Sequence, residues 1–129
     1  MDTKRQYQKV SSFEDLEVWK RAANLSAEIY RGFQNLKDYG FRDQITRSGL
    51  SIPSNIAEGF ERKSNKEFVV FLNYARGSCG ELRTQILIGM SINYISSAVG
   101  RAWLEETKRI SAMITALMKT TKGFLKAAS

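Results

Sequence analysis

Between residues 68 and 89 the apolar or small side chains fall at Phe68, Leu72, Ala75, Cys79, Leu82, Ile86 and Gly89, an unbroken alternation of four- and three-residue steps over three heptads. Such steps return to one face of a helix, whereas a strand, with its period of two, cannot gather them on one side. A helix with so long an apolar seam depends on partners for its stability, so the rest of the chain must cover it. A single proline, Pro53, and a shortage of alternating β-branched stretches point to helices throughout.

Four helical segments can be drawn. Ser12 reads as an N-cap with Asp15 at N3, opening a first helix over Phe13 to Leu36. In it Val18, Ala22, Leu25, Ile29, Gly32 and Leu36 form one stripe, while Leu16, Trp19, Ala23, Tyr30 and Phe33 form a second about 120° away. A single bundle needs one apolar stripe, so the second is read as an oligomer interface, with a wide core arc as the alternative. Lys37 to Gly40 reads as the connection. The second helix runs from Phe41 to Gly59 with Ile45, Ile52 and Ile56 inward, and Pro53 predicts a kink or two abutting helices.

Ser64-Asn65-Lys66-Glu67 matches a capping box and starts the third helix, which is expected to end near Tyr94-Ile95. Its centre, Ala75 to Gly80, holds two glycines that each cost a helix about 1 kcal/mol against alanine. That cost predicts the close approach of a neighbouring helix, with Cys79 as a small buried filler. Ser96-Ser97 caps the last helix, where Trp103, Thr107, Ile110, Ile114, Leu117, Thr121 and Phe124 share a stripe and the final residues fray. Short connections predict an all-α, antiparallel up-down-up-down four-helix bundle over residues 12–126, preceded by a mobile polar tail over 1–11.

Composition narrows the chemistry. One cysteine and no histidine exclude a disulfide framework and a Cys-cluster zinc site, and disfavour most hydrolytic mechanisms. No cofactor motif is present. Without a signal-like h-region or an apolar run of roughly 20 residues, the chain is expected to be soluble and cytoplasmic, with no membrane partner. An enzymatic reading would need Glu58, Glu67 or Glu81 beside Arg47 or Arg76 in a pocket. Asn55 and Glu58 read instead as caps for backbone groups freed by Pro53, and the chain is expected not to be an enzyme.

The formal charge is +7, from 20 basic and 13 acidic residues. Arg101, Lys108, Lys119, Lys122 and Lys126 fall within about 60° of arc on the last helix at roughly 100° per residue, with Thr115 among them. Arg76 and Arg83 sit seven apart on the third helix, Arg62-Lys63 and Lys66 crowd its entrance, and Arg47 lies on the second. This surface suits a nucleic-acid backbone without reading bases, since aromatic RNA-binding motifs, zinc-finger spacing and a helix-turn-helix are all missing. Solubility and ordinary helix electrostatics remain the alternative, in which the chain is a protein-interaction module with no nucleic-acid role.

Ser51-Ile52-Pro53-Ser54-Asn55-Ile56-Ala57-Glu58-Gly59 is more particular than composition explains. With Asp15-Leu16-Glu17-Val18-Trp19 upstream and Ala75-Arg76-Gly77-Ser78 and Glu81-Leu82 downstream, the chain resembles the 23S rRNA intervening sequence proteins over roughly Phe13 to Leu117. That family is related to the accessory variability determinants of diversity-generating retroelements. The resemblance implies a basic homopentamer that binds RNA or DNA and assists a reverse transcriptase or an rRNA-associated process. It transfers no catalytic residues. Arg83 stands where a glutamate usually follows Glu-Leu, and Thr46 precedes Arg47 where paired arginines are common.

Overall fold

The computed structural model describes residues 10–128, with the backbone alone described for 125–128. Most of the expected polar tail therefore lies outside the described residues, but Val10 packs against the core. A short 3-10 turn at Phe13–Asp15 precedes four α-helices: α1 Glu17–Gly32, α2 Tyr39–Glu61, α3 Asn65–Ser91 and α4 Ser97–Ala128. They form a four-helix bundle. The most extensive packing joins α2 to α3 and α3 to α4, and α1 lies on α2 and, over a shorter seam, on α4.

The first helix is shorter at both ends than its periodicity suggests. Ser12 accepts from the Glu14 amide at 3.2 Å, so it caps the 3-10 turn, and Leu16 leaves that turn in extended backbone. Leu16 is thereby driven into the core at 9% exposure while the Phe13 ring meets Trp19 edge-on. At the other end Phe33 breaks out of the helix and packs against Phe41 and Trp103. Leu16 and Phe33 are thus taken up by the chain's own core, which leaves Trp19, Ala23 and Tyr30 of the second stripe at least partly exposed.

The α2 N-cap is Asp38, whose carboxylate accepts from the Phe41 amide at 3.2 Å and from the Tyr94 hydroxyl at 2.8 Å. These bonds favour the ionised form and hold the Asp38 carboxyl below its usual range, the Phe41 amide being the larger cause. They also tie the α1–α2 connection to the α3–α4 connection. One helix, not two abutting ones, spans Pro53. Asn55 donates to the Ser51 carbonyl at 2.8 Å, and Glu58 pairs with Arg62 one turn on. Neither bond reaches the Gly49 carbonyl, the acceptor whose helical donor Pro53 removes.

Ser64 caps α3 by accepting from the Glu67 amide at 3.4 Å, while the Glu67 carboxylate lies 3.6 Å from Arg62. Lys63, with φ 60°, makes the tight turn that allows so short a connection. The α3 seam behaves as its spacing requires: Phe68, Leu72, Ala75, Cys79, Leu82 and Ile86 are all buried. The helix ends at Ser91, three residues before the expected Tyr94. Ser96 caps α4 by accepting from the Val99 amide at 3.2 Å. Thr107 and Thr121, fully buried in the α4 seam, donate to the carbonyls of Trp103 and Leu117, so neither hydroxyl is left unpaired.

One packing expectation is overturned. Gly77 and Gly80 are exposed on α3, and nothing lies within 4 Å of where a Cβ would stand on either. Among the described residues no neighbouring helix approaches them closely. The apolar seam runs through Ala75 and Cys79, so the glycines beside them are turned outward by the helical period.

Candidate nucleic-acid interface

On α4 the side chains of Arg101, Lys108, Lys119 and Lys122 are exposed. Among the described residues none of the four has a carboxylate within 4.0 Å. Lys126 belongs to the same arc by period, but its side chain lies outside those described. Arg76 joins the strip from α3: its guanidinium donates to Thr115 Oγ1 at 3.4 Å and to Asn73 Oδ1 at 2.9 Å. The structure therefore brings together cations from two helices that sequence spacing could place only on separate ones.

The other expected cations are dispersed. Arg47 is exposed on α2, and Lys63 sits in the α2–α3 turn. Arg62 is engaged by Glu58 at 3.2 Å and Glu67 at 3.6 Å, and its guanidinium stacks 4.9 Å from the Phe71 ring centroid, so much of its charge is spent internally. Arg83 is half-buried with Nε shielded and without a partner. Periodicity missed Arg109, which shares a hollow of about 650 Å³ with Lys108, Arg21 and Glu106. Its position next to Lys108 in sequence was the available signal. Of the two acids that line this hollow, Glu106 is gripped by Arg21 of α1 through two bonds of 2.7 and 3.1 Å, while Glu105, one turn from both Arg101 and Lys108, is exposed beside the strip and more than 4.0 Å from the described cations. Those bonds raise the Arg21 pKa further.

The carboxylates named for an enzymatic reading lie elsewhere. Glu58 and Glu67 converge on Arg62 at the exposed α2–α3 corner, and Glu81 accepts from Ser48 at 2.8 Å. Among the described residues no group of three or more His, Cys, Asp or Glu could hold a metal ion, and no helix is long and apolar enough to cross a membrane.

The sulfur of Cys79 is buried, and desolvation pushes its thiol from 9.0 up to about 12. Native Cys79 is expected to react with an aromatic disulfide reagent at pH 8 at least about 10²-fold more slowly than the unfolded chain, on thiolate fraction alone. Burial of the neutral thiol favours the folded state below pH 9.0, and that contribution is lost as pH rises toward 12. Equal reaction rates in both states would place Cys79 at an accessible surface.

A second surface lies along the seam between α1 and α2. Trp19, Ala23 and Tyr30 meet Leu50, Pro53 and Ala57 of α2 around a groove of about 380 Å³ that, among the described residues, no charged side chain lines. Half of the groove was visible as the second stripe of the first helix. The α2 half was not, because Leu50 and Ala57 lie outside the inward spacing of that helix.

Fold and surface together define a class: a small all-helical bundle carrying a cationic face and a separate uncharged groove. Residues 14–116 match the family of 23S rRNA-intervening sequence proteins, and the chain belongs to that family. The backbone is also similar to a crystal structure of a protein with unknown function from the S23 ribosomal protein family of Bacteroides thetaiotaomicron VPI-5482, with a TM-score of 0.74 and 23% identity over 79% of this chain and 98% of that one. That likeness concerns the fold. No curated protein matches the chain.

Proposed function

We propose that this protein is a non-enzymatic, homo-oligomeric scaffold whose basic surface holds RNA or DNA by its phosphates without reading bases. The observation that carries the reading is the α4 strip, where Arg101, Lys108, Lys119 and Lys122 stand exposed and without an ion pair among the described residues, outnumbering the one acid beside them, Glu105. Unpaired cations on one face release counterions when a phosphate backbone docks, which is the dominant source of sequence-independent affinity. Contacts at Gly59 with Phe68, Ser48 with Glu81, and Arg76 with Thr115 support an antiparallel up-down-up-down order. A bend at Pro53 belongs to the same reading. A ring of five subunits, and a reverse transcriptase or an rRNA-associated process as the setting, follow from the family resemblance.

The test is binding of a generic structured RNA at two salt concentrations. If about five cations engage phosphates, affinity is expected to fall about 10³-fold between roughly 0.05 and 0.3 M salt. Binding that is absent at both concentrations sinks the nucleic-acid role. The alternative, a protein-interaction module with no nucleic-acid role, is favoured by the uncharged α1–α2 groove, and that outcome would select it.

A further inference from the structure

The outward face of α3 carries a second ladder. Val70, Tyr74, Gly77, Thr84 and Ile88 occupy four- and three-residue steps like those of the buried seam, the remaining step being Glu81, yet every one of them is exposed. Val70, Tyr74 and Ile88 are 43%, 54% and 49% exposed. At the middle of this ladder lies Gly77, with Gly80 beside it, and nothing among the described residues stands within 4 Å of a Cβ on either. A helix that gives up propensity twice at an open surface, between large exposed apolar groups, is shaped for a backbone that comes close from outside.

We infer that this α3 ridge docks into the α1–α2 groove of a second copy of the chain, so that each subunit offers one ridge and receives one. The inference rests on the oligomeric part of the proposed function and names its contact. Three observations favour a second copy as the occupant. The groove is uncharged, and the ladder from Val70 to Ile88 carries one charge, Glu81, with Lys66, Arg76 and Arg83 at its borders, in a chain of formal charge +7 whose copies repel wherever their cations meet. The one acid on the ladder, Glu81, already accepts from Ser48 of its own α2.

The shapes also differ in the required sense. One surface is a helix lowered by glycines, and the other is a hollow flanked by the half-exposed Tyr30 and Leu50. Finally, α1 packs on α2 and α4 while α3 packs on α2 and α4, so ridge and groove occupy separate parts of the bundle and one subunit can use both at once. An interface built from two different patches is heterologous, and repetition of it closes a ring when the rotation allows.

Two variants test the contact, both made at exposed positions that leave the core untouched. The ridge variant combines Gly77→Leu with Ile88→Glu, and the groove variant combines Tyr30→Glu with Leu50→Glu. Light scattering after size exclusion at high salt, without nucleic acid, reads assembly alone, and thermal melting confirms folding. Each variant is expected to run as a folded monomer where the unmodified protein is oligomeric. Their equimolar mixture is expected to yield a species of two subunits, because it contains one intact ridge and one intact groove. If the variants assemble like the unmodified protein, the contact lies elsewhere and the inference fails while the oligomer stands. If both are monomeric but the mixture gives no pair, the contact is isologous or made with another face, and the inference again fails. A monomeric unmodified protein overturns this inference and the oligomeric reading together, leaving nucleic-acid binding to be judged separately.

Discussion

Phe68→Ala is expected to cost about 3–5 kcal/mol in urea unfolding, a large part of the roughly 5–15 kcal/mol that holds a domain of this size together. Phe68 is 1% exposed, meets Phe60 edge-on with ring centroids 5.9 Å apart, and sits where the start of α3 crosses the end of α2. Removing the ring leaves a cavity that the two helix ends cannot close without disturbing their connection through Lys63. Leu87→Ala on the same helix, at 52% exposure, is expected to change stability by no more than about 0.5 kcal/mol. Equal losses for the two would mean that the inward face of α3 is misassigned.

The same corner explains one residue of the Ser-Ile-Pro-Ser-Asn-Ile-Ala-Glu-Gly string. A Cβ on Gly59 would stand 2.6 Å from the Phe71 Cβ and 3.1 Å from a Phe68 ring carbon. Alanine is the better helix former by about 1 kcal/mol, but here it would have to push two helices apart. The glycine is set by the crossing of α2 and α3.

How much of this was legible depended on whether local spacing was enough. The buried α3 seam, the Ser64 cap and the burial of Cys79 could all be read from residues within a few turns of one another. The break at Leu16 could not, because a helix-compatible residue is pulled into extended backbone by burial against distant parts of the chain. Phe33 leaves α1 for the same kind of reason, drawn onto Phe41 and Trp103. Gly77 and Gly80 misled in the opposite direction: their cost was correctly noticed, but periodicity says only that they share a face, not whether that face finds a neighbour within the chain. Arg76 joined the cationic strip only once α3 and α4 were placed side by side, since its meeting with Thr115 spans 39 positions.

Neutralising that strip gives the largest functional effect expected. With Arg101, Lys108, Lys119 and Lys122 all changed to glutamine, affinity for RNA at low salt should fall about 10³-fold, and the slope of log K against log salt should flatten by about 3–4. The stems keep most of their length, and the four side chains are exposed without ion pairs among the described residues, so the melting temperature should stay close to that of the unmodified protein. Changing Arg47 and Lys63 instead removes two exposed cations from α2 and the α2–α3 turn. If charge alone mattered, the loss would scale with the number of cations removed, wherever they sit. If the α4 face is the site, the Arg47 and Lys63 variant should keep nearly all of its affinity and slope, while restoring Lys108 and Lys119 alone should recover about half of the lost slope. Equal losses per charge at the two places would show that the protein attracts nucleic acid only through its overall field, and the α4 strip would then be a solvated helix face.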